Sequence, residues 1–423
     1  MDDVPDGFKT TEVGTLPEEW SVVGLGDVTE KTKQKDPRKT PELRFKYVDV
    51  SSISRDALKI AECKLCRGND APSRAKKLVK KNDVIFATVR PTLKRLTLID
   101  EEFDGEICST AFCVLRAMEN ILSPAYLFYA IQTNAFMDEL EKIQRGASYP
   151  AVTDSDIKNQ KIPLPPLPEQ HRIAAVLSAV QDAKEKTGAV IAAAKSLKKS
   201  LMRHLFTYGP VPAGAAESVP LTETEIGLVP EGWDVVRLGD VAETRKETVD
   251  PRNSKSKYVG LEHINPGECS LKRFGYSDDV RSAKSKFYLG DILYGKLRPY
   301  LDKCVLVDFE GICSTDIIVV KTNNNASNTF LSYFLHTDEF REYAAKTMTG
   351  VNHPRTSWRA LSQFLIPLPP LPTQQKIASI LSTVDQKIEA EENKKKALDE
   401  LFKSLLHNLM TGKIRVNHLE AIP

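Results

Sequence analysis

The sequence is poor in what a secreted, membrane-spanning or strongly polyanion-seeking protein would need. Its seven cysteines are scattered irregularly over 423 residues, which excludes a disulfide-stapled scaffold. With an opening MDDVPDGFKT that carries no apolar leader, a reducing, cytoplasmic setting is expected. Cys63 and Cys66 in CKLC have no second pair and no paired histidines at finger spacing, so they read as ordinary thiols on a strand, and no metal ligand is assigned. No stretch approaches the roughly 18 unbroken apolar residues of a membrane span. Charge of one sign is also missing: 59 basic and 57 acidic residues leave +2. Any nucleic-acid surface must therefore be a local patch.

Catalytic signatures are missing too. There is no GxxxxGK[ST] phosphate loop, no HExxH, no glycine-rich dinucleotide or methyl-donor motif beyond a lone GLG at 24–26, and no NPP-aromatic or DPP-aromatic tetrad. DPRK (36–39) and DPRN (250–253) come nearest, and Asp-Pro followed by Arg is a turn with a surface charge. No catalytic residue is assigned.

What the chain does contain is a copy of itself. A length of 423 residues calls for at least two domains, and the halves are similar. TEVGTLPEEWSVVGLGDVTE (11–30) answers TEIGLVPEGWDVVRLGDVAE (224–243), DVIFATVRPTLKR (83–95) answers DILYGKLRPYLDK (291–303), and ICST occurs at 107–110 and 312–315. IPLPPLPEQ (162–170) returns as IPLPPLPTQ (366–374). Between these blocks the halves diverge, most of all at 31–80 against 244–288. A shared scaffold with private surfaces follows.

Short β-branched, glycine-bounded runs (WSVVGLGDV, FKYVDVSSI, DVIFATV, CSTAFCVLRA and their partners) predict strands. Residues 123–143 and 328–346 predict helix, so each globular unit is α+β. Prolines 163, 165, 166 and 168 hold the chain extended as a stiff elbow, and Glu169 then favours the positive end of a following helix. That helix, with its copy near 374–411, carries a heptad stripe: Ile173, Leu177, Val180, Ile191, Leu201 and Leu205, then Ile377, Leu381, Val384, Ile388, Leu398, Leu405 and Leu409. Such stripes form a two-helix seam. Each helix would be roughly 55 to 60 Å long. The short linker favours antiparallel pairing, which would bring Ile173 near Leu405 or Leu409 and Ile377 near Leu201 or Leu205. Trp20 and Trp233 are expected in the core.

These blocks resemble the specificity subunit of type I restriction-modification systems over nearly the whole chain: the LGD opening, the RP strand end, and above all the repeated PLPPLPEQ entry into a long helix. The resemblance implies two α/β target-recognition domains separated by an antiparallel coiled coil, related by a pseudo-two-fold axis. The first domain would span 1–165, spacer helix one 166–208, a linker 209–223, the second domain 224–369, spacer helix two 370–411 and a tail 412–423. It implies double-stranded DNA as ligand, with each domain reading half of a split target. Two adenine methyltransferase subunits would be partners, with restriction/translocase subunits besides. S-adenosylmethionine, ATP and magnesium would sit on those partners and no cofactor on this chain. The alternatives are a coiled-coil scaffold without base readout and an enzyme with an unfamiliar site.

For DNA contact, the RP segments offer Arg90, Lys94 and Arg95, and Lys296, Arg298, Tyr300 and Lys303. Arginine forks suit guanine edges or phosphate, and Tyr300 suits stacking or a backbone oxygen. Arg90 and Arg298 are identical in both halves, which suits a structural or phosphate role better than reading different bases. The loops QRGASYPAV (144–152) and MTGVNHPRTSWR (348–359) share a glycine and a proline but differ between them. Arg145, Ser148 and Tyr149 therefore stand against Asn352, His353 and Arg355 as base-reading candidates; a plain solvated loop is the alternative. The basic stretches 30–39, 66–77 and 244–257 read as soluble surface or as phosphate-facing rims.

Overall fold

The computed structural model describes residues 4–253 and 255–417, so the expected tail, 412–423, lies outside the described residues from 418 onward. The chain divides into two compact units, one holding the described residues up to Ala189 and from Glu392, the other Val190–Glu391. Among the described residues no helix is long and apolar enough to cross a membrane.

In the first unit, Val84–Ala87 and Phe112–Ala117 pair antiparallel, flanked by Leu96–Leu98 and Thr29–Glu30. Both faces of this sheet are covered, because successive side chains point to opposite sides. Val84, Phe86, Cys113 and Leu115 enter one core, Ile85, Ala87, Phe112 and Val114 another. That explains why VIFA (84–87) is an unbroken apolar run. The second unit repeats the strand order with Ala242–Thr244, Ile317–Thr322, Ile292–Gly295 and Cys304–Leu306, and divides Ile292 and Tyr294 from Leu293 in the same way.

A second sheet in each unit carries a parallel pair, Arg44–Val48 with Ile107–Ser109 and Lys257–Val259 with Gly311–Cys313. The divergent stretches build the rest of it. Neither DPR segment departs from a turn: Asp36 and Asp250 each accept the side chain of the arginine two residues on.

Three expectations change. LGDV is a helical turn (Leu25–Val28, Leu238–Val241) and does not continue the strand. Its glycine sits at a close approach: a Cβ on Gly26 would meet the Lys158 carbonyl oxygen at 3.3 Å, and one on Gly239 the Ser362 Cβ at 3.0 Å. The helix expected over 123–143 is two, Pro124–Ala130 and Asn134–Ile143, because the Thr133 hydroxyl caps the second; Thr337 does the same in the other copy. Trp20 is fully buried, but Trp233 is only partly buried against the second core.

The proline string serves first as a strand. Lys161–Leu164 pairs antiparallel with Ser21–Gly24, and Leu365–Leu368 with Asp234–Arg237. These are two-stranded ladders, in which a proline without N–H is tolerated. The long helices follow at once, Leu167–Tyr208 and Leu371–Met410, so Pro168 lies in the first turn of the helix and not in the extended elbow, as a proline without N–H can at a helix start. The glutamine at the end of each string fixes the join. Gln170, fully buried, accepts the Ser123 N–H at 2.8 Å and donates to the carbonyls of Ile121 and Pro165. Gln374 treats Ser327, Asn325 and Pro369 identically.

Glu169 does more than favour a helix dipole. Its buried carboxylate accepts the Trp20 indole N–H at 3.1 Å and a two-pronged pair from Arg415 at 2.7 and 2.9 Å. Thr373 stands at the corresponding position of the second unit, where no such cluster can form.

Within each unit, half of one long helix runs antiparallel to half of the other. In the first unit Glu169 pairs with Arg415 and Lys184 with Asp399 at 2.7 Å, so numbers rise on one helix as they fall on the other. Ile173, Leu177 and Leu409 share its core, with Val180 and Leu405 against it. In the second unit Lys198 pairs with Asp385 at 2.7 Å. Leu205, Ile377 and Leu381 share that core, with Leu201 against it. Ile388 is buried, and Ile191, Val384 and Leu398 are half-buried. Two of the lysines that break the heptad stripe, Lys184 and Lys198, are paired across the helices. A charge pair in an apolar seam penalises other registers.

Candidate nucleic-acid interface

In both units the RP turn and the glycine-proline loop form one site. Arg90 and Arg298 are left-handed, each with φ of 50°, a conformation that costs a bulky residue about 1 to 2 kcal/mol. Lys94 (φ 51°) and Asp302 (φ 53°), which close the same turns, are left-handed as well. Strain repeated at equivalent places is held by its surroundings. The restraint is visible: the Arg90 N–H donates to the Pro150 carbonyl at 2.6 Å and the Arg298 N–H to that of Pro354 at 2.9 Å.

The loops are closed by matching exchanges. Arg145 and Ala151 trade both backbone hydrogen bonds, and so do Thr349 and Arg355. Gly146 and Gly350 have φ of 98° and 96°, and a Cβ on Gly146 would come within 3.0 Å of the Tyr149 carbonyl oxygen. The tips project into solvent: Tyr149 is 71% exposed and Val351 97%, with Ser148, Asn352 and His353 exposed as well. One framework thus presents Ser-Tyr in one unit and Asn-His in the other.

The cations divide into two groups. The Arg90 side chain lies over the Tyr149 ring, 4.9 Å from its centroid, and donates to the Ser148 carbonyl. Arg298 is exposed and makes no side-chain hydrogen bond to another described residue. Tyr300 is half-exposed beside it. Lys94, Arg95 and Lys303 turn inward. Lys94 donates to the Gln132 carbonyl, and burial pushes its ammonium pKa down. Arg95 holds the carbonyl of Val50 and Lys303 that of Leu261. Lys296 is half-buried at the strand end, and its carbonyl accepts the Thr356 N–H.

Arg145 and Arg355 lie at the loop bases and are both paired. Arg145 meets Asp156 at 3.1 Å; the Thr153 backbone and side chain, then Arg145, hold that carboxyl below its usual range. Arg355 forks onto Asp316 at 2.8 and 3.3 Å, which lowers the Asp316 pKa. Each unit thus ties one arginine to a carboxylate at the loop base and holds unlike groups at the tip. Sequence reasoning did not find Asp156 and Asp316, or the two glutamines that seat the helices. The glutamines were findable, since both copies of the string end in Gln.

Among the described residues no group of histidine, cysteine and carboxylate side chains is arranged to hold a metal ion. All seven cysteines are free thiols.

Comparison with known proteins agrees with this architecture. The family described as "Type I restriction modification DNA specificity domain" matches twice, at residues 17–192 and 230–400. The type I restriction enzyme MjaVIII specificity subunit of Methanocaldococcus jannaschii is 26% identical over 98% of this chain and 97% of its own. The EcoDI specificity subunit of Escherichia coli is 25% identical over 61% of this chain and 62% of its own. A solved structure from work on assembly and conformational transition of the type I R-M system is 28% identical, with a TM-score of 0.59, covering 94% of this chain and 99% of that one. Two family domains span most of the chain, in the two places where the turn-and-loop site recurs. The chain therefore belongs to the type I restriction-modification DNA specificity family and is a specificity subunit with two tandem recognition domains.

Proposed function

We propose that the two recognition domains read unlike halves of one bipartite, asymmetric DNA target. Unlike tips on one framework support this reading: Ser148 and Tyr149 project where the other unit has Asn352 and His353. Base edges are read by such projecting groups, and phosphates by the surrounding cations. Arg90 and Arg298, equivalent in backbone and identical in type, fit the positioning role. The long helices, each beginning in one unit and ending in the other, set the number of base pairs between the halves and offer docking surface to two adenine methyltransferase subunits. Those partners, with restriction/translocase subunits, carry the chemistry along with S-adenosylmethionine, ATP and magnesium. This chain chooses the site and catalyses nothing.

The test is a domain exchange. Residues 31–160 are replaced with those of another family member, the chain is co-expressed with its partner methyltransferase, and modified adenines are mapped across the genome. One half of the methylated sequence should change and the other persist. If both halves stay as they were, the assignment of reading to these domains is wrong.

A further inference from the structure

We propose that a polar cavity in the second unit is a subsite for one backbone phosphate of bound DNA, with Lys296 as its cation, and that the first unit has no equivalent. The proposal rests on the DNA-reading function above and names a contact that only one of the two domains makes.

The cavity, of about 280 Å³, is bordered by Lys296, Arg245, Ser285, Thr315, Thr356 and Trp358 among others, and its lining holds two cations and no carboxylate. Arg245 is already neutralised, forked onto Asp291 at 2.6 and 3.0 Å and laid over the Tyr288 ring. Lys296 is not: it has no carboxylate within ion-pair distance among the described residues, and Asp316, whose charge it feels, is taken by Arg355. The Ser285 and Thr315 hydroxyls supply donors. A half-buried lysine lining a cavity with hydroxyl side chains is suited to an anion with several acceptor oxygens.

In the first unit the same place is filled. Strand pairing fixes the correspondence: Lys77 lies opposite Cys108 as Ser285 lies opposite Cys313, and Phe112 opens its strand as Ile317 does. Thr153 and Ser357 both cap short helices, so Asp154 corresponds to Trp358. There the Lys77 ammonium donates to the Phe112 carbonyl at 2.6 Å and to the Asp154 carboxylate. Thr88, whose hydroxyl bonds the Ala111 carbonyl, stands where the second unit has Lys296. One unit thus supplies its own cation and anion. The other has a small hydroxyl, an indole wall and an uncompensated lysine around an open space.

The test measures binding of the full chain to a fluorescent DNA duplex of mixed sequence over a range of salt concentrations. Each phosphate contact contributes about 0.9 to the slope of log affinity against log salt. Lys296→Ala should lower the slope by about that amount, an affinity change about eightfold smaller per tenfold change in salt, while Lys296→Arg should retain it. Ser285→Lys with Trp358→Asp, which installs the first unit's ion pair in the cavity, should lower the slope likewise. An unchanged slope in Lys296→Ala overturns the subsite, and this variant decides alone if the double substitution does not fold. A slope retained by a folded double variant places the contact outside the cavity and overturns the proposal as well. A wild-type chain without salt-dependent DNA binding would overturn the underlying reading.

Discussion

Replacing Arg415 with methionine should destabilise the first unit alone. The substitution leaves the Glu169 carboxylate, whose side chain is 3% exposed, with the Trp20 indole N–H as its remaining partner in the cluster. Removing one partner of a buried pair costs about 3 to 5 kcal/mol. Arg415 is itself 27% exposed, so solvent screening reduces its share, and a loss of about 2 to 3 kcal/mol is expected. Glu169→Gln keeps an acceptor for the indole while removing the charge, so combining the two substitutions should cost less than their sum, with a coupling of about 2 kcal/mol. The readout must be local, because two units need not unfold together. Of the three tryptophans, Trp20 alone lies in the first unit. In a Trp233→Phe, Trp358→Phe background, denaturant titration followed by fluorescence therefore reports that unit. Additive single substitutions, with coupling below about 0.5 kcal/mol, would refute the claim that Glu169 and Arg415 act as a buried pair.

Gln170→Leu and Gln374→Leu should each cost their own unit about 2 to 4 kcal/mol by leaving three backbone groups without partners, measured as unit-specific shifts in denaturation midpoint; a shift within error would show that water replaces the amide. Replacing 147–149 with the residues of 351–353 should alter the methylated half-site read by the first domain without moving the spacing between halves, and sequencing of modified adenines shows which occurs. His336 supplies a pH dependence peculiar to the second unit. Burial works against its charge, but the Cys269 sulfur and the Asp302 carboxylate, 2.8 Å away, outweigh it and push the imidazole up to about 10. With an unfolded value of about 6.5, the stabilisation is complete below that pH and is lost as pH rises toward 10. His336→Gln should flatten this profile, and an unaltered pH dependence in that variant would show that another group is responsible.

The repeat, the two-domain division and the long helices were legible because each depends on many residues. Periodicity over 40 positions survives the lysines that interrupt it, and duplicated blocks reveal the repeat. The misread parts depend on one or two residues. LGDV has strand-like composition, yet it forms a helical turn whose Gly26 faces the chain at Lys158, 3.3 Å from where a Cβ would stand, a contact between residues far apart in sequence. The helix break at Thr133 was written locally as a capping residue followed by Asn and was overridden by the apolar pattern around it. Placing Lys94, Arg95 and Lys303 was beyond sequence reasoning, since a basic cluster reads alike whether its members face solvent or a neighbouring carbonyl. Glu169 was read through the only partner visible nearby, the helix end. Its other partners lie at positions 20 and 415.

Within the shared scaffold, several positions differ by exchanging one complete set of electrostatic partners for another. Asp83 and Asp291 stand at equivalent strand starts, and each is buried and forked by an arginine, but Arg116 comes from the neighbouring strand and Arg245 from beyond a different one. Lys94 bonded to the Gln132 carbonyl in one unit becomes Asp302 paired with His336 in the other. A buried charge without its partner is too costly to persist, so such positions change together or not at all. Backbone obligations have no such substitutes: Gln170 and Gln374 meet the same three groups, and Arg90 and Arg298 share one strained conformation. Side chains at the loop tips carry little of either constraint, since the one contact of this kind is the exposed Arg90 guanidinium over the Tyr149 ring. Ser148, Tyr149, Asn352 and His353 can change one at a time without stranding a charge or a carbonyl. Specificity can therefore diverge between the domains faster than the framework that presents it, and chimeric chains that exchange only the loop tips, 147–149 for 351–353, should fold at parental stability, whereas exchanges that divide Arg145 from Asp156 or Arg355 from Asp316 should not.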